Sequence, residues 1–562
     1  MSYPYVFTLG VICLSLIGVL GTLISNDITK DILRKQFLWI LGSIAIAGLF
    51  KYPFDGLIFS GLEYEDAFIY NAAARFFLSN AALLPPESFL TISCSVGSLA
   101  ACNEYSTYSG HVIGYSATIA GASKLFGYHP ELANFVSFYA SILCAGFLFI
   151  VALIIGNSIP YALAAVLIFV LLPFQNLFAT ASVVEPFSSL FITLSLLSYL
   201  QCVHHLPSKT LKWKVVLSWS TLFLVWLACI LIKRENALSI AILPFITLIF
   251  ILFERRSAES WGWLTKPVLA FWILLALFFV LVIDVAETIR AEVPDVGGFP
   301  FSPIFLSKLL PFFLSTLFDF KLFLGLSIFA PIAVYAAVKQ ISATKLIWYP
   351  IILFGMYLLI YSLHYRSYYF IRTGDVTEFD TYRYLSNLMP LYSLLLAGGL
   401  QCCLVSFRFI QTQSHRAKQV SLALFVGLVI ILSWMQTFQL KTHFTEIEKN
   451  NRLDIVNAVL QLTKNVNQPY AILTDDVLLY QIWGDGTEFM IDLRSMDSDK
   501  GLATLINILN ERSVFFVKKP YQDETIERNR YLKIFEYLET LETEKLLQDP
   551  EGRFAVYALP AK

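Results

Sequence analysis

Charge is scarce in this chain, and so are the residues that would make it a soluble or disulfide-held protein. Only 14% of its 562 residues are Asp, Glu, Lys or Arg, while 57% are hydrophobic. An ordinary soluble domain has about 25% charged and about 45–50% apolar residues, so a soluble protein is excluded. The 40 basic and 41 acidic residues leave a formal charge of −1, and with no bulk basic field no nucleic-acid partner is expected. No CxxC pattern or Cys/His cluster marks a structural zinc site. Six of the eight cysteines (Cys13, Cys144, Cys202, Cys229, Cys402 and Cys403) lie in or beside apolar runs, where a thiol behaves as a small hydrophobe. Cys94 and Cys102 share a polar loop; they are either free or, in an oxidising compartment, paired. The first apolar run lacks a basic n-region and a small-residue cleavage site, so it is expected to stay as a helix. There is no clear internal repeat and no low-complexity tract.

What the chain has instead is long apolar runs. A run of about 20 residues matches a hydrocarbon slab of about 30 Å at about 1.5 Å per residue. About twelve spans are expected, from Pro4–Ile24 to Val420–Phe438, the shortest being Phe37–Phe50 and Pro160–Pro173, with Leu322–Val338 among the later ones. Basic residues concentrate in one set of short loops, for example Lys30, Arg34 and Lys35, then Lys209, Lys212 and Lys214. Far fewer lie in the other set, Lys233, Arg234, Arg366, Arg372 and Arg383. The positive-inside rule makes the first set cytoplasmic. Three large segments then face the exterior: the loop 51–131, the stretch Ala286–Lys321 with an interfacial helix expected over Ile304–Phe318, and everything after Lys441.

The expected fold is thus an all-α polytopic membrane protein of about twelve transmembrane helices, 1–440, followed by an extracytoplasmic α/β domain, 441–562. That tail carries about 35 of the charged residues and alternates apolar runs with helical patterns. Tyr470–Thr474, Glu488–Leu493, Val514–Lys519 and Arg553–Leu559 read as strands; Asp454–Lys464 and Thr525–Leu547 read as helices. Asp475 and Asp476 end the first strand, where ligands often sit and where a plain turn or helix cap is the simpler explanation.

The chemically richest stretch is Gly61–Asn80, GLEYEDAFIYNAAARFFLSN. Glu63, Glu65 and Asp66 precede a helical pattern, and capping its positive end needs fewer acids than three. A carboxylate fixed near a membrane surface suits a general base acting on an acceptor hydroxyl. Cations at the same rim, Lys233, Arg234, Arg366 and above all Arg383 with its planar fork, suit a phosphate; the plainer alternative is that they anchor span ends or pair with nearby acids such as Glu235. Glu185 opens an apolar span, a costly place for a carboxylate, although it also precedes Pro186 and can cap the helix. His111 is a further candidate on the acceptor side.

YEDAFIYNAAARFFL resembles the first exterior loop of the GT-C glycosyltransferases, particularly the glycosyltransferase family 39 branch, which includes protein O-mannosyltransferases and lipid A aminoarabinose transferases. Tyr108–Asn134, Val183–Leu197 with Glu185, Leu231–Ile240 and Thr381–Leu395 resemble further stretches of that family in the same order, although the family's Pro-Gly-Tyr-Pro segment is here Val112-Ile113-Gly114-Tyr115. The resemblance implies sugar transfer with inversion from a polyprenyl-phosphate donor to an exterior glycan, lipid or protein. It makes Asp66 and Glu65 catalytic, gives Arg383, Lys233, Arg234 and Arg366 the donor phosphate, and leaves Glu185, Glu63 and His111 to acceptor or sugar. It implies no cofactor; Mg²⁺ or Mn²⁺ among Glu63, Glu65, Asp66 and Glu185 is the alternative. A bacterial inner (plasma) membrane, with site and tail outside the cytoplasm, is the expected setting. The rival functions are a lipid-linked oligosaccharide polymerase or ligase, a transporter, and a non-catalytic scaffold.

Overall fold

In a computed structural model of the chain, the described residues are 3–52, 90–93, 103–106, 114–129, 131–179, 183–204, 212–236, 242–247, 303–339, 345–363, 383–406, 427–442, 452–464, 470–474, 489–496, 499–518, 532–541, 543–550 and 554–559. Positions 70, 71, 74, 78, 181, 239, 240, 466 and 552 complete the set. They divide into two compact units. One comprises Gly10–Gly56 and Asn134–Thr442; the other comprises Met1–Leu9, Leu57–Ala133 and His443–Lys562.

The first unit is helical. Five helices among the described residues are long and apolar enough to cross a membrane: Val6–Ser25, Asp27–Lys51, Leu132–Gly156, Glu185–Val203 and Trp213–Ile232. A sixth span results if the bent pair Ile159–Leu171 and Pro173–Ala179 is counted as one. The second expected span is longer than Phe37–Phe50. Its helix begins at Asp27, capped by the Asn26 side chain, which accepts from the backbone N–H groups of Ile28 and Thr29.

The bend of 64° between Leu171 and Pro173 has a local cause. Pro173 brings no N–H to the ladder, and carbonyls at the break take side-chain donors instead. Asn176 Nδ2 donates to Val170 O at 2.9 Å, and Ser433 Oγ donates to Leu171 O. Irregular backbone inside a bundle is tolerated when its polar groups are satisfied in this way. A second break corrects the expected span Leu322–Val338: Leu324 (φ 54) and Gly325 (φ 70) adopt left-handed conformations, so the regular helix there is only Phe329–Lys339. The helix Pro303–Phe318 covers the expected Ile304–Phe318, buries Leu309, Phe313 and Leu317 on one face, and packs on the helix Trp348–Leu363.

The helix Glu185–His204 lies at the heart of this unit, almost wholly buried, and it carries small polar residues along its length. In an apolar bundle these act as interhelical hydrogen-bonding groups. Trp226 Nε1 donates to Ser195 Oγ at 2.8 Å, and Ser189 Oγ donates to the Ser386 carbonyl at 3.0 Å. The helix Met389–Ser406 meets the start of the helix at Phe329 through Gly399, where a Cβ would stand 1.9 Å from the Phe329 carbonyl oxygen.

The second unit is built on a seven-stranded sheet: β1 (Leu90–Ser93), β2 (Asn103–Ser106), β3 (Tyr470–Thr474), β4 (Phe489–Asp492), β5 (Ser513–Lys518), β6 (Glu544–Gln548) and β7 (Ala555–Leu559), in spatial order β2-β1-β4-β3-β5-β7-β6. The strands β1, β4, β3 and β5 run parallel to one another; β2 pairs antiparallel with β1 at one side, and β7 pairs antiparallel with β5 and with β6 at the other. Buried parallel strands read as continuous apolar runs, as β3 and β5 do. Leu505, Ile508 and Leu509 of the helix Asp499–Glu511 and Ile534, Phe535 and Leu538 of Leu532–Glu539 close the core.

Two expectations for the tail change. The helix expected over Thr525–Leu547 ends at Glu539, and its last residues form β6, paired with β7 across a turn in which Gly552 has φ 73. The sheet is also not made by the tail alone, because β1 and β2 belong to the loop 51–131. The six cysteines in or beside apolar runs are free thiols; Cys94, Cys102, Asp475 and Asp476 lie outside the described residues.

Candidate functional site

Three segments of the helical unit bring charge together inside an apolar body. The first is the start of the helix Glu185–His204, where Glu185 occupies the positive end. The second follows the helix Lys212–Ile232: Lys233 continues from it, its N–H bonded to Cys229 O at 3.0 Å, and a 3₁₀ turn Arg234–Asn236 then closes the end. Asn236 acts as the clasp. Its Nδ2 donates to Cys229 O at 3.2 Å, while its Oδ1 accepts from Ser188 Oγ at 3.0 Å. The third is the turn Arg383–Ser386, held by Ser386 Oγ donating to Arg383 O at 2.8 Å and by the Ser189 bond to Ser386 O.

These ties put Lys233 Nζ 3.0 Å from Glu185 Oε1. Glu185 is 1% exposed, Lys233 8% and Arg383 6%, so the charges act on one another without solvent screening. Both cations lie against one ring: Lys233 Nζ is 5.3 Å and Arg383 Cζ 5.4 Å from the centre of Tyr384. Tyr384 in turn packs on Tyr361 at 5.5 Å, and Tyr361 Oη accepts from Asn387 Nδ2 at 3.2 Å. Burial pulls the Lys233 pKa down, but the carboxylates of Glu185 and Glu235 outweigh it, and the net direction is upward from the ordinary 10.5. The ammonium therefore stays charged at neutral pH, with Arg383 beside it opposing that charge. Two buried cations in one place favour an anion with several oxygens, which a planar guanidinium and a point-like ammonium can hold together.

Three of the nine residues expected at a site thus converge: Glu185, Lys233 and Arg383. Arg234 lies in the adjoining turn, its side chain outside the description, and Glu63, Glu65, Asp66, His111 and Arg366 lie outside the described residues. Glu185 and Lys233, assigned separately to acceptor and donor, are in direct contact. Tyr384, Tyr361, Asn387 and Asn236 were not anticipated. The signal for Tyr384 was its place beside Arg383 in TYRYLSN, an aromatic next to a cation at a span mouth. Among the described residues, no three of His, Cys, Asp and Glu gather as metal ligands.

No protein-family model and no curated protein sequence matches the chain. Solved structures do. ArnT from Cupriavidus metallidurans bound to undecaprenyl phosphate superposes with a TM-score of 0.57 at 13% identity, over 93% of this chain and 98% of that one. The archaeal oligosaccharyltransferase AglB from Archaeoglobus fulgidus, in complex with an inhibitory peptide and a dolichol-phosphate, gives 0.51 at 12% identity over 93% of this chain and 74% of that one. Both are members of the GT-C superfamily. The chain has the GT-C fold. Within that fold, the Glu185–Lys233–Arg383 cluster buries an ion pair beside a second cation.

Proposed function

We propose that this integral-membrane protein is a glycosyltransferase that moves a sugar from a polyprenyl-phosphate donor to an exterior acceptor. The observation that carries the proposal is the architecture shared along 93% of the chain with a protein held with undecaprenyl phosphate. The cluster at Tyr384 supports it, because a lipid-bound phosphate needs buried cations at a span end while its tail stays in the bilayer.

In this mechanism the acceptor hydroxyl oxygen attacks the anomeric carbon on the face opposite the phosphate. A new C–O bond forms, the anomeric bond to the phosphate oxygen breaks, and its electron pair leaves with the lipid phosphate. The hydroxyl proton passes to Asp66 or Glu65. Inversion follows from the single displacement. Arg383 and Lys233, with Arg234 and Arg366, stabilise the charge growing on the leaving phosphate, Glu185 orients Lys233, and Glu63 and His111 serve the acceptor side. The reaction needs no metal or other cofactor, and it takes place on the outer face of a bacterial inner membrane.

The likeness to an oligosaccharyltransferase favours a second reading, transfer of a whole lipid-linked oligosaccharide. One assay tests both. Protein in nanodiscs is given polyprenyl-phosphate sugar, and the released lipid and glycosylated product are followed by mass spectrometry. Wild type should release lipid phosphate and Asp66→Asn should not. Turnover only with an oligosaccharide donor supports the second reading, and equal turnover by Asp66→Asn refutes the role given to that acid.

A further inference from the structure

A further cation lies inside the helical unit, and the mechanism above does not use it. Lys51 ends the helix Asp27–Lys51, and its side chain is fully buried. Its Nζ donates to Asn176 Oδ1 at 3.0 Å and stands 5.2 Å from the centre of the Phe169 ring. Both partners are neutral. An ammonium carries three donors, of which Asn176 takes one, and a buried charge is costly without a counter-ion.

Other polar atoms around the break at Leu171–Pro173 also await partners. Gln175, next to Asn176 in the chain, is buried; its Nε2 donates to Ser141 Oγ at 3.3 Å, while its Oε1 has no partner among the described residues. The helix 427–442 joins the same break, because Ser433 Oγ donates to Leu171 O. Every fourth residue of that helix is buried, Val429, Ser433, Thr437 and Lys441, and the residues between them are not. Thr437 Oγ1 has no partner among the described residues, and one turn on, Lys441 brings another fully buried ammonium to the same face. Buried polar groups are normally hydrogen-bonded, so this junction is short of an anion and of a hydroxyl donor.

The approach is from the bilayer. Phe50 packs edge-on against Trp434 at 5.9 Å, so the two helices meet beside Lys51. Leu49, Tyr52, Trp434 and Phe438 around that contact are exposed, giving the aromatic rim typical of a span end at the membrane surface. Basic pockets between span ends take acidic lipid headgroups.

We propose that this junction, between the end of Asp27–Lys51 and the helix 427–442, binds one anionic glycerophospholipid of the surrounding bilayer. Lys51 and the Thr437 hydroxyl hold its phosphate, Gln175 Oε1 accepts from a headgroup hydroxyl, and the acyl chains lie along the exposed faces of the two helices. The long Lys51 stem lets the ammonium swing toward the rim as the headgroup enters. The site shares no residue with the Glu185–Lys233–Arg383 cluster and does not rest on the transfer reaction.

Native mass spectrometry on the delipidated full chain tests this. Phosphatidylglycerol is the probe, with phosphatidylcholine and inorganic phosphate as comparison arms. Wild type should hold one phosphatidylglycerol, bound about tenfold or more weakly in Lys51→Met, which loses a charge-assisted bond. Thr437→Val keeps the side chain's shape and every charge and should weaken binding about three- to tenfold; it decides the matter should Lys51→Met fail to fold. Arg383→Met should bind this lipid as wild type does. Phosphatidylglycerol should also raise the melting temperature of wild type and leave that of Lys51→Met unmoved. Wild-type affinity in either Lys51→Met or Thr437→Val overturns the proposal, as does equal affinity for phosphatidylcholine. Lipid binding lost in Arg383→Met and kept in Lys51→Met would move the lipid to the other cluster, and Lys51-dependent binding of inorganic phosphate without lipid would make the ligand a free anion; each overturns the assignment.

Discussion

Replacing Lys233 by Met should be among the most damaging single substitutions in the helical unit. The Glu185 carboxylate, 1% exposed and 3.0 Å from the ammonium, would stay buried without it. Removing one partner of a buried pair costs about 3–5 kcal/mol, most of it the stranded charge. Glu185→Gln should cost less, about 1–3 kcal/mol, since an amide oxygen can still accept from Lys233, and Glu235 and Tyr384 still act on the ammonium. Replacing both, Glu185→Leu with Lys233→Met, removes the two desolvation penalties together, and such swaps are commonly neutral or stabilising. The double variant should therefore be more stable than Lys233→Met alone, with a coupling of about 2–4 kcal/mol. Unfolding of all four proteins in one mixed-micelle system, followed by tryptophan fluorescence, measures this. Additive single effects would show that the pair carries no such coupling and would refute the reasoning.

Gly399→Ala should abolish folded protein, because its Cβ would enter the Phe329 carbonyl oxygen, backbone that cannot turn aside; recovery of monodisperse protein at wild-type yield would contradict the packing. Lys51, fully buried, donates to Asn176 Oδ1 at 3.0 Å and lies over the Phe169 ring, and among the described residues no carboxylate pairs with it. Lys51→Met should then leave stability within about 1 kcal/mol of wild type or raise it, the freed Asn176 oxygen offsetting the removed charge; a loss above about 3 kcal/mol would reveal a paired ammonium. The raised pKa of Lys233 gives a pH test: its stabilisation is fully present below the ordinary 10.5 and is lost only as pH rises through the higher folded value. Stability and lipid-phosphate affinity should not fall on its account between about pH 7 and about pH 9, and a Lys233-dependent decline within that window would contradict the assignment.

Apolar continuity was the part of the fold most legible in the sequence. Leu132–Gly156 and Tyr470–Thr474 coincide with a helix and a strand, because a buried helix and a buried parallel strand each leave an unbroken apolar run. Breaks were harder to see. Leu324 and Gly325 interrupt a run whose hydropathy never falls, and β6 continues the leucine spacing of the preceding helix, so only its pairing with β7 separates the two. The hairpin β1–β2 is four residues on each side, and its partner lies at the other end of the chain; no local pattern announces such a pairing. At the site, residue types were legible and partnerships were not. The contact of Glu185 with Lys233, the shared ring of Tyr384 and the Asn236 clasp join segments that only the folded bundle brings together.

The central claim is that buried cations around Tyr384 hold a lipid phosphate, and direct binding tests it most simply. Undecaprenyl phosphate affinity would be measured by native mass spectrometry on wild type and on Arg383→Met, with Asp27→Asn, an exposed acid distant in sequence, as the control. Wild type and control should bind alike and Arg383→Met about ten- to a hundredfold more weakly, the loss of a charge-assisted pair at about 1.5–3 kcal/mol. Equal binding by all three would contradict the account.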